Sequence, residues 1–382
     1  MANIKKLKEN TVKLVKLEDV CYNGSSSLSQ KDIIMLEGKY PVYGASGLIK
    51  YINFYKYDKE YIAIVKDGAG IGRTMILPAN SSVISTLQYI FPKENINIRY
   101  LYYALNAMDL SKYYSGVTIP HIYFKDYKKE ELYLPIIDEQ INIVNKLDKI
   151  REIIDIRKKQ IEELDELIKS QFVELFGSPF CNEKWEIKKI GNMAEIISDG
   201  NNIETKYYQE TGDVLFLRIQ NVWRNEFRLD DSVYVSKEVN DMYLDTSLHT
   251  GDILISKIGR YYTKDSSLGR VSLYRGENDK ANYSNNIMRI RLKPEYNSEF
   301  VNIVLNLEDY QQHIRRESKG GTDKRALSKK IIENFEIINP PIKLQNEYVE
   351  KVKLIDKQKF EIQKNLEEMQ KLQESLMNKY FG

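Results

Sequence analysis

Two stretches of the chain repeat apolar residues at intervals of seven. In the first, Leu147, Ile154, Ile161, Ile168 and Leu175 share one phase; in the second, Ile355, Ile362, Met369 and Leu376 share another. A period of seven marks a coiled-coil seam rather than the face of a globular helix. Both stretches lack internal Gly and Pro and are rich in Glu, Lys, Leu, Ile and Gln, so both predict long helices. Each opens just after a proline, and the first stops at Gly177-Ser178-Pro179. The strong string of the first helix occupies position a, and its d string is broken by Arg157 and Gln171. The strong string of the second occupies d, and its a string is broken by Lys359 and Gln373. Antiparallel pairing sets strong against strong, so an antiparallel pair is expected. Roughly 40 residues at 1.5 Å each span about 60 Å.

The two helices belong to a longer internal repeat. Pro135–Gln140 resembles Pro340–Gln345 at an offset of 205 residues, and without a gap Val144, Lys159, Leu167 and Ser170 meet Val349, Lys364, Leu372 and Ser375. The match closes with Phe176-Gly177 against Phe381-Gly382. Before each helix lies a segment of short β-prone runs bounded by Gly, Asn and Asp. These segments resemble each other weakly: Tyr61–Lys66 parallels Asp252–Lys257, Tyr100–Asn106 parallels Phe300–Asn306, and Gly116–His121 parallels Gly320–Arg325. The expected organisation is α+β: a β-rich domain over 1–134, a long helix over 135–177, a second β-rich domain over 178–338 and a second long helix over 339–382. The whole forms a pseudo-two-fold repeat.

Composition narrows the function. With 57 basic and 55 acidic residues the formal net charge is +2, which excludes a histone-like polycation. Two cysteines exclude a disulfide framework and a Cys-rich zinc site. No apolar run is long enough for a membrane span, and the first residues offer no signal-peptide core, so a cytoplasmic location is expected. The 28 tyrosines, each a flat apolar ring with a polar tip, suit polar interfaces.

Two motifs imitate catalytic ones. Asp67-Gly68-Ala69-Gly70-Ile71-Gly72 carries G-x-G-x-G, but a nucleotide site needs a helix N-terminus after the glycines. Arg73–Leu77 reads instead as a strand, making the glycines a hairpin turn. Asn339-Pro340-Pro341 resembles the motif with which DNA amino-methyltransferases hold a flipped base, but Ile342 stands where an aromatic ring would stack. The start of the second helix explains it better. His121, His249 and His313 show no metal-ligand spacing, and no catalytic constellation stands out.

What remains is a binding signature. Lys319, Lys324 and Arg325 lie in a basic, glycine-containing stretch that runs from Arg315 to Lys330 and suits phosphate contact. Arg218, Gln220, Asn221 and Arg224 offer side chains that pair bidentately with guanine or adenine edges. Lys257 and Arg260 follow a predicted strand. In the first domain Tyr43, Ser46, Lys50, Lys66, Arg73, Thr118 and His121 sit on or beside predicted loops.

The pattern resembles the specificity subunits of type I restriction–modification systems. The resemblance covers essentially the whole chain. Its most specific part is the duplicated unit of domain plus helix ending Phe-Gly. It extends to Tyr40–Gly47, to the Gly68–Gly72 turn and to the Gly116–Ile122 loop; the second half lacks the Pro-His of that loop. The resemblance implies two target-recognition domains that each read half of a split, asymmetric double-stranded DNA site, with the helices as spacer. It further implies docking of two methyltransferase subunits, which would bind S-adenosylmethionine, and room for two restriction subunits. This chain would then carry no cofactor, no metal and no catalytic residue. The competing reading is a coiled-coil scaffold whose β domains bind other proteins, and a self-contained methyltransferase is a third.

Overall fold

The computed structural model describes residues 12–116, 120–180, 182–263 and 265–382. Contacts divide the chain into two units. One holds the residues up to Gln160 together with Ile362–Gly382; the other is Ile161–Glu361. Each unit therefore combines a β-rich domain, the beginning of the helix that follows it and the end of the other helix.

The first unit runs β1 (Lys13–Lys16), β2 (Cys21–Ser25), β3 (Tyr40–Gly44), β4 (Gly47–Ile52), β5 (Tyr61–Val65), β6 (Thr74–Leu77), β7 (Ser82–Val83), β8 (Leu87–Pro92), helix α1 (Ile98–Ala107), β9 (Glu131–Leu134) and the start of helix α2 (Ile137–Phe176). The strands form an antiparallel sheet in the order β2-β8-β5-β6, a sheet β4-β3-β7 whose β3–β7 pair is parallel, and the pair β1-β9. Strand β5 is buried throughout, and its alternation feeds two cores. Ile62 and Ile64 face a core shared with α1 and the long helices, while Tyr61, Ala63 and Val65 face the core under β3 and β4.

The second unit repeats the plan. Its strands are β10 (Ile187–Lys189), β11 (Ala194–Asp199), β12 (Val214–Leu217), β13 (Val222–Trp223), β14 (Glu226–Phe227), β15 (Val233–Val235), β16 (Ile253–Ser256), β17 (Ile258–Arg260), β18 (Val271–Leu273), β19 (Ala281–Tyr283) and β20 (Ile287–Leu292). After helices α3 (Ser298–Asn306) and α4 (Glu308–Glu317) come β21 (Lys319–Gly320), β22 (Lys324–Ala326), β23 (Glu336–Ile338) and helix α4's longer successor α5 (Ile342–Phe381). The sheets β11-β20-β16-β18, β15-β12-β19 and β10-β23 correspond to those of the first unit, and β12–β19 is again parallel. In both units the opening strand pairs with the strand just before the long helix, Lys13 with Leu134 and Ile187 with Ile338. The chain thus leaves each domain beside the point where it came in.

The helices pair antiparallel, as their strings predict. In the first unit Ile143, Val144 and Leu147 near the start of α2 share a core with Leu376, Met377, Tyr380 and Phe381 at the end of α5. In the second, Phe172 and Phe176 at the end of α2 share a core with Tyr348, Val349 and Val352 near the start of α5. All nine seam residues are buried or half-buried. Two of the seam's polar breaks, Arg157 and Lys359, find partners across it. Arg157 Nε donates to Asn365 Oδ1 at 3.1 Å, and the Lys359 ammonium pairs with Asp165.

The repeated Phe-Gly is a plug. Phe381 packs 5.1 Å from the Tyr100 ring of α1, and Phe176 packs 5.2 Å from the Phe300 ring of α3. Each helix end completes the core of the other repeat's domain. Gly177 takes φ +78°, the left-handed stop that a side chain would strain. The repeated glutamine is a buried clasp. Gln140 Nε2 donates to Pro135 O at 2.8 Å, and Gln345 Nε2 donates to Pro340 O at 2.7 Å. Gln345 also donates to Asn339 Oδ1 at 3.2 Å. The Asn-Pro-Pro run is therefore the start of α5, as read from the sequence.

Seven of the 28 tyrosines depart from the expected interface role. Tyr61, Tyr89, Tyr100, Tyr127, Tyr283, Tyr310 and Tyr348 are fully buried. Their hydroxyls are satisfied inside: Tyr100 donates to Tyr133 O and Tyr348 to Ile168 O, both at 2.8 Å. These tyrosines fill cores in which a backbone or side-chain group gives the tip a partner.

Candidate nucleic-acid interface

The G-x-G-x-G segment is the turn of the β5–β6 hairpin. Val65 N donates to Arg73 O and Gly72 N to Val65 O, both at 2.9 Å, and Gly68 and Gly72 have φ +93° and +85°. The second unit closes the equivalent turn with Ser256 N to Arg270 O and Gly269 N to Ser256 O. Neither turn opens a helix, so neither is built to hold a phosphate at a helix N-terminus.

Just past each of β5 and β16 the backbone enters a small ribbon of three segments. In the first unit His121 bridges both Asp67 and Ser115. In the second, Ala326 pairs with both Ile258 and Lys319. The backbone brackets match as well: Ile122 N donates to Lys66 O at 2.9 Å, and Leu327 N donates to Lys257 O at 2.8 Å. His121 is therefore the counterpart of Ala326, and the second loop is one residue longer than the sequence parallel with Arg325 implied. The ribbons differ in chemistry. In the first unit Lys66 Nζ lies 3.7 Å from Asp67, and His121 Nδ1 lies 2.7 Å from Asp67 Oδ1. Thr118 falls outside the described residues. In the second unit the ribbon is β17-β22-β21, with Gly259 opposite Arg325 and Arg260 opposite Lys324. Gly320 allows the close approach of β21 to β22, since a Cβ there would meet Lys324 O at 2.6 Å, and Gly259 lets β17 lie against the backbone of Leu268, which a Cβ would meet at 2.4 Å.

The second ribbon gathers five of the predicted residues. Lys257, at its base, pairs with Asp199 at 2.5 Å. Lys319, Lys324 and Arg260 are exposed; the Arg260 side chain is 74% accessible and lies 3.8 Å from Asp323. Arg325 is tied down, its guanidinium stacked 3.9 Å above the Tyr261 ring. The next residue, Tyr262, is 70% exposed. The sequence reading passed over it, though an aromatic pair beside Arg260 was a visible signal.

In the Arg218–Arg224 segment Gln220 and Arg224 are exposed and Arg218 is half-buried. Asn221 is fully buried, and this corrects its assignment as a DNA contact. Its Nδ2 donates to Arg228 O and Asp231 Oδ1, both at 2.9 Å, and its Oδ1 accepts from Arg218 N. The Arg218 guanidinium lies 3.3 Å from Asp231 Oδ2, and Gln220 donates to the same atom at 3.2 Å. Arg224 points elsewhere, donating to Glu308 at 2.8 Å and to Asn306 O at 2.9 Å. That hydrogen bond holds the Glu308 carboxyl below the usual carboxylate range. Arg228 and Arg270 sandwich the Trp223 indole, each 3.6 Å from its centroid, and burial lowers the Arg270 pKa.

The other first-domain candidates scatter. Arg73 reaches the β3–β4 hairpin, donating to Ala45 O at 3.2 Å beside exposed Ser46. Tyr43 is half-buried against the core, and burial pushes its hydroxyl pKa up. The Lys50 ammonium donates to Ile34 O at 2.9 Å, away from the ribbon. An open cleft of about 550 Å³ lies beside edge strand β2, lined by Lys66, Lys93, Lys125, Lys128, Tyr22 and Tyr123. Apart from Lys66, the sequence reading named none of these. Their signal was Lys125 and Lys128 shortly after His121. Among the described residues no three His, Cys, Asp or Glu gather as a metal would need, and no helix is long and apolar enough to cross a membrane.

Comparison with known proteins decides the family. Residues 9–166 and 182–371 both match the family described as Type I restriction modification DNA specificity domain. The chain belongs to this family. It is a specificity subunit of a type I restriction–modification system, not an enzyme by itself, and the scaffold and methyltransferase readings fall away. Similar proteins include the MjaVIII specificity subunit of Methanocaldococcus jannaschii, 24% identical over 369 residues that cover 90% of this chain and 85% of that one. The MjaIX subunit of the same organism is 28% identical over 155 residues, 35% of each chain. The fold is similar to the crystal structure of the type I specificity subunit from M. genitalium, with a TM-score of 0.64 at 16% identity over 98% of both chains. It is also similar to a chain from a structure of type I complex assembly and conformational transition, with a TM-score of 0.55 at 16% identity over 97% of both.

Proposed function

We propose that this specificity subunit reads a bipartite, asymmetric double-stranded DNA site, one half per β-rich unit, with an unread gap between the halves. The observation that carries the reading is the pair of ribbons. They occupy the same point of the repeat, follow the equivalent Lys66 and Lys257 and are bracketed by the same backbone hydrogen bonds, yet one carries Asp67 and His121 where the other has Ile258 and Ala326, with Arg260, Lys319, Lys324 and Tyr262 beside them. Same scaffold with different side chains means two half-sites of different sequence. Helices of 40 residues, about 60 Å at 1.5 Å per residue, exceed the 34–36 Å of one DNA turn, which supports a gap.

Two methyltransferase subunits dock on the repeated helices and domains, and two restriction subunits join them. S-adenosylmethionine belongs to the methyltransferases and supplies the methyl group there. The near-neutral charge of this chain fits partners that supply much of the phosphate contact. The test is a methylation map of a host expressing the chain with its methyltransferase. One asymmetric two-part motif is expected. A contiguous palindrome contradicts the reading, as does methylation that does not depend on this chain.

A further inference from the structure

We infer that the second half-site is read by the β17–β22 ribbon, with Arg260 and Lys324 addressing base edges and Tyr262 packing against the bases or sugars beside them, and not by the Arg218–Arg224 segment. This rests on the bipartite reading above and adds which side chains decide one of its halves.

Availability comes first. A side chain reads DNA only if its donors are not already spent. Arg218, Gln220 and Asn221 all spend donors on the Asp231 side chain, and Arg224 spends two on Glu308 and Asn306. Freeing Arg224 would take from Glu308 its cationic partner, and freeing Arg218 would take from Asp231 the only cation of its three partners here. Among the described residues Arg260 faces only a long 3.8 Å contact with Asp323, and Lys319, Lys324 and Tyr262 are exposed.

Shape comes second. The major groove, about 12 Å wide, admits a β-ribbon. Here three short strands bring Arg260 and Lys324 opposite each other in an antiparallel pair. Opposed residues of such a pair stand a few ångströms apart, so their heads reach neighbouring base pairs. The ribbon is also braced to carry this load. Arg325 stacks on Tyr261, Tyr261 N donates to Asp323 O at 2.7 Å, and glycine at 320 removes the bulk that would hold β21 away from β22.

Chemistry comes third. Arg and Lys pair with O6 and N7 of guanine, the commonest specific contact of either side chain. The second half-site therefore contains at least one G·C pair. The Tyr262 ring meets Tyr261 edge-on at 5.1 Å, and its remaining exposed surface gains most from a stack on a base or a contact with a thymine methyl. The first ribbon, built on Lys66, Asp67 and His121, presents a different set and reads a different sequence.

The experiment uses the full chain with its methyltransferase and maps methylated sites for Arg260→Ala, Lys324→Ala, Tyr262→Ala and, as the rival, Arg218→Ala. All ribbon changes are at exposed positions, and circular dichroism confirms the fold. The expected result is that Arg260→Ala and Lys324→Ala each relax one position of the second half-site at least about tenfold while the first half-site stands. Tyr262→Ala should lower occupancy of that half, and Tyr262→Phe should restore most of it. Arg218→Ala should leave the motif unchanged. The inference is overturned if the ribbon variants keep full specificity and only weaken binding on every sequence with a shallower salt dependence, because that is phosphate contact alone. It is also overturned if Arg218→Ala relaxes the second half-site, or if that half contains only A·T pairs. A wild-type map without two parts would instead refute the bipartite reading itself.

Discussion

Truncating one aromatic plug tests how the two repeats hold together. Phe176 is 1% exposed and lies 5.1–5.3 Å from the rings of Phe172, Phe300 and Tyr348. Phe176→Ala removes a fully buried ring from a site that cannot easily collapse, because three aromatic neighbours hold its walls. Such a truncation costs about 3–5 kcal/mol, and loss of the edge-on ring contacts pushes it toward the upper part of that range. For a unit of this size, each kcal/mol lowers Tm by roughly 2–4 °C, so a fall of roughly 10–15 °C is expected. The assay is urea unfolding combined with hydrogen exchange, since two units need not unfold in one step. Protection should fall in residues 161–361 and largely survive around Tyr100 and Phe381, whose plug is untouched. A loss below about 1 kcal/mol, or one spread evenly over both units, would refute the idea that each helix end completes the other repeat's core.

Other outcomes follow from the same geometry. Gln345→Ala should cost about 1–3 kcal/mol by stranding the buried carbonyl of Pro340, and Gln140→Ala should cost a similar amount; calorimetry of each variant checks it. Burial among Phe180, Tyr310 and Phe335 holds the His313 imidazole below its ordinary pKa. Falling pH then protonates the unfolded chain first, so this contribution to stability is present above about 6.5 and is lost as pH drops below it. His313→Phe should flatten the acid limb of a stability–pH curve, and an unchanged limb would count against it. The Cys21 thiol, pushed up to about 12 by burial, should resist alkylation at pH 8 in a Cys181→Ser background until the chain unfolds. Rapid labelling of the native chain would show that the site is open.

Much of the fold was legible because it is written in periods. The seven-residue strings predicted both helices and their antiparallel sense, and every one of those residues is buried or half-buried. The G-x-G-x-G hairpin followed from the β-branched, proline-stopped run after its glycines. The exchange of helix ends was hidden, because Phe176 and Phe381 bear no mark saying which domain they enter. The candidate site was legible only in part. Arg218, Gln220 and Asn221 have the right donors for base edges, but donor inventory says nothing about burial, and Asp231, ten residues beyond Asn221, claims them. The ribbon was half seen. Lys319, Lys324 and Arg325 stood out as a basic run, while Arg260 and Tyr262 join them only through strand pairing between distant segments.

The central claim is that the paired helices set the spacing between two reading heads, and a matched insertion tests it most directly. Adding one heptad after Ile161 in α2 and one after Glu361 in α5 keeps the seam in phase and lengthens the pair by about 10 Å. At 3.4 Å per base pair, methylation mapping should show a gap wider by about 3 base pairs and both half-sites unaltered. An unchanged gap, or altered half-sites with the old gap, would contradict the account.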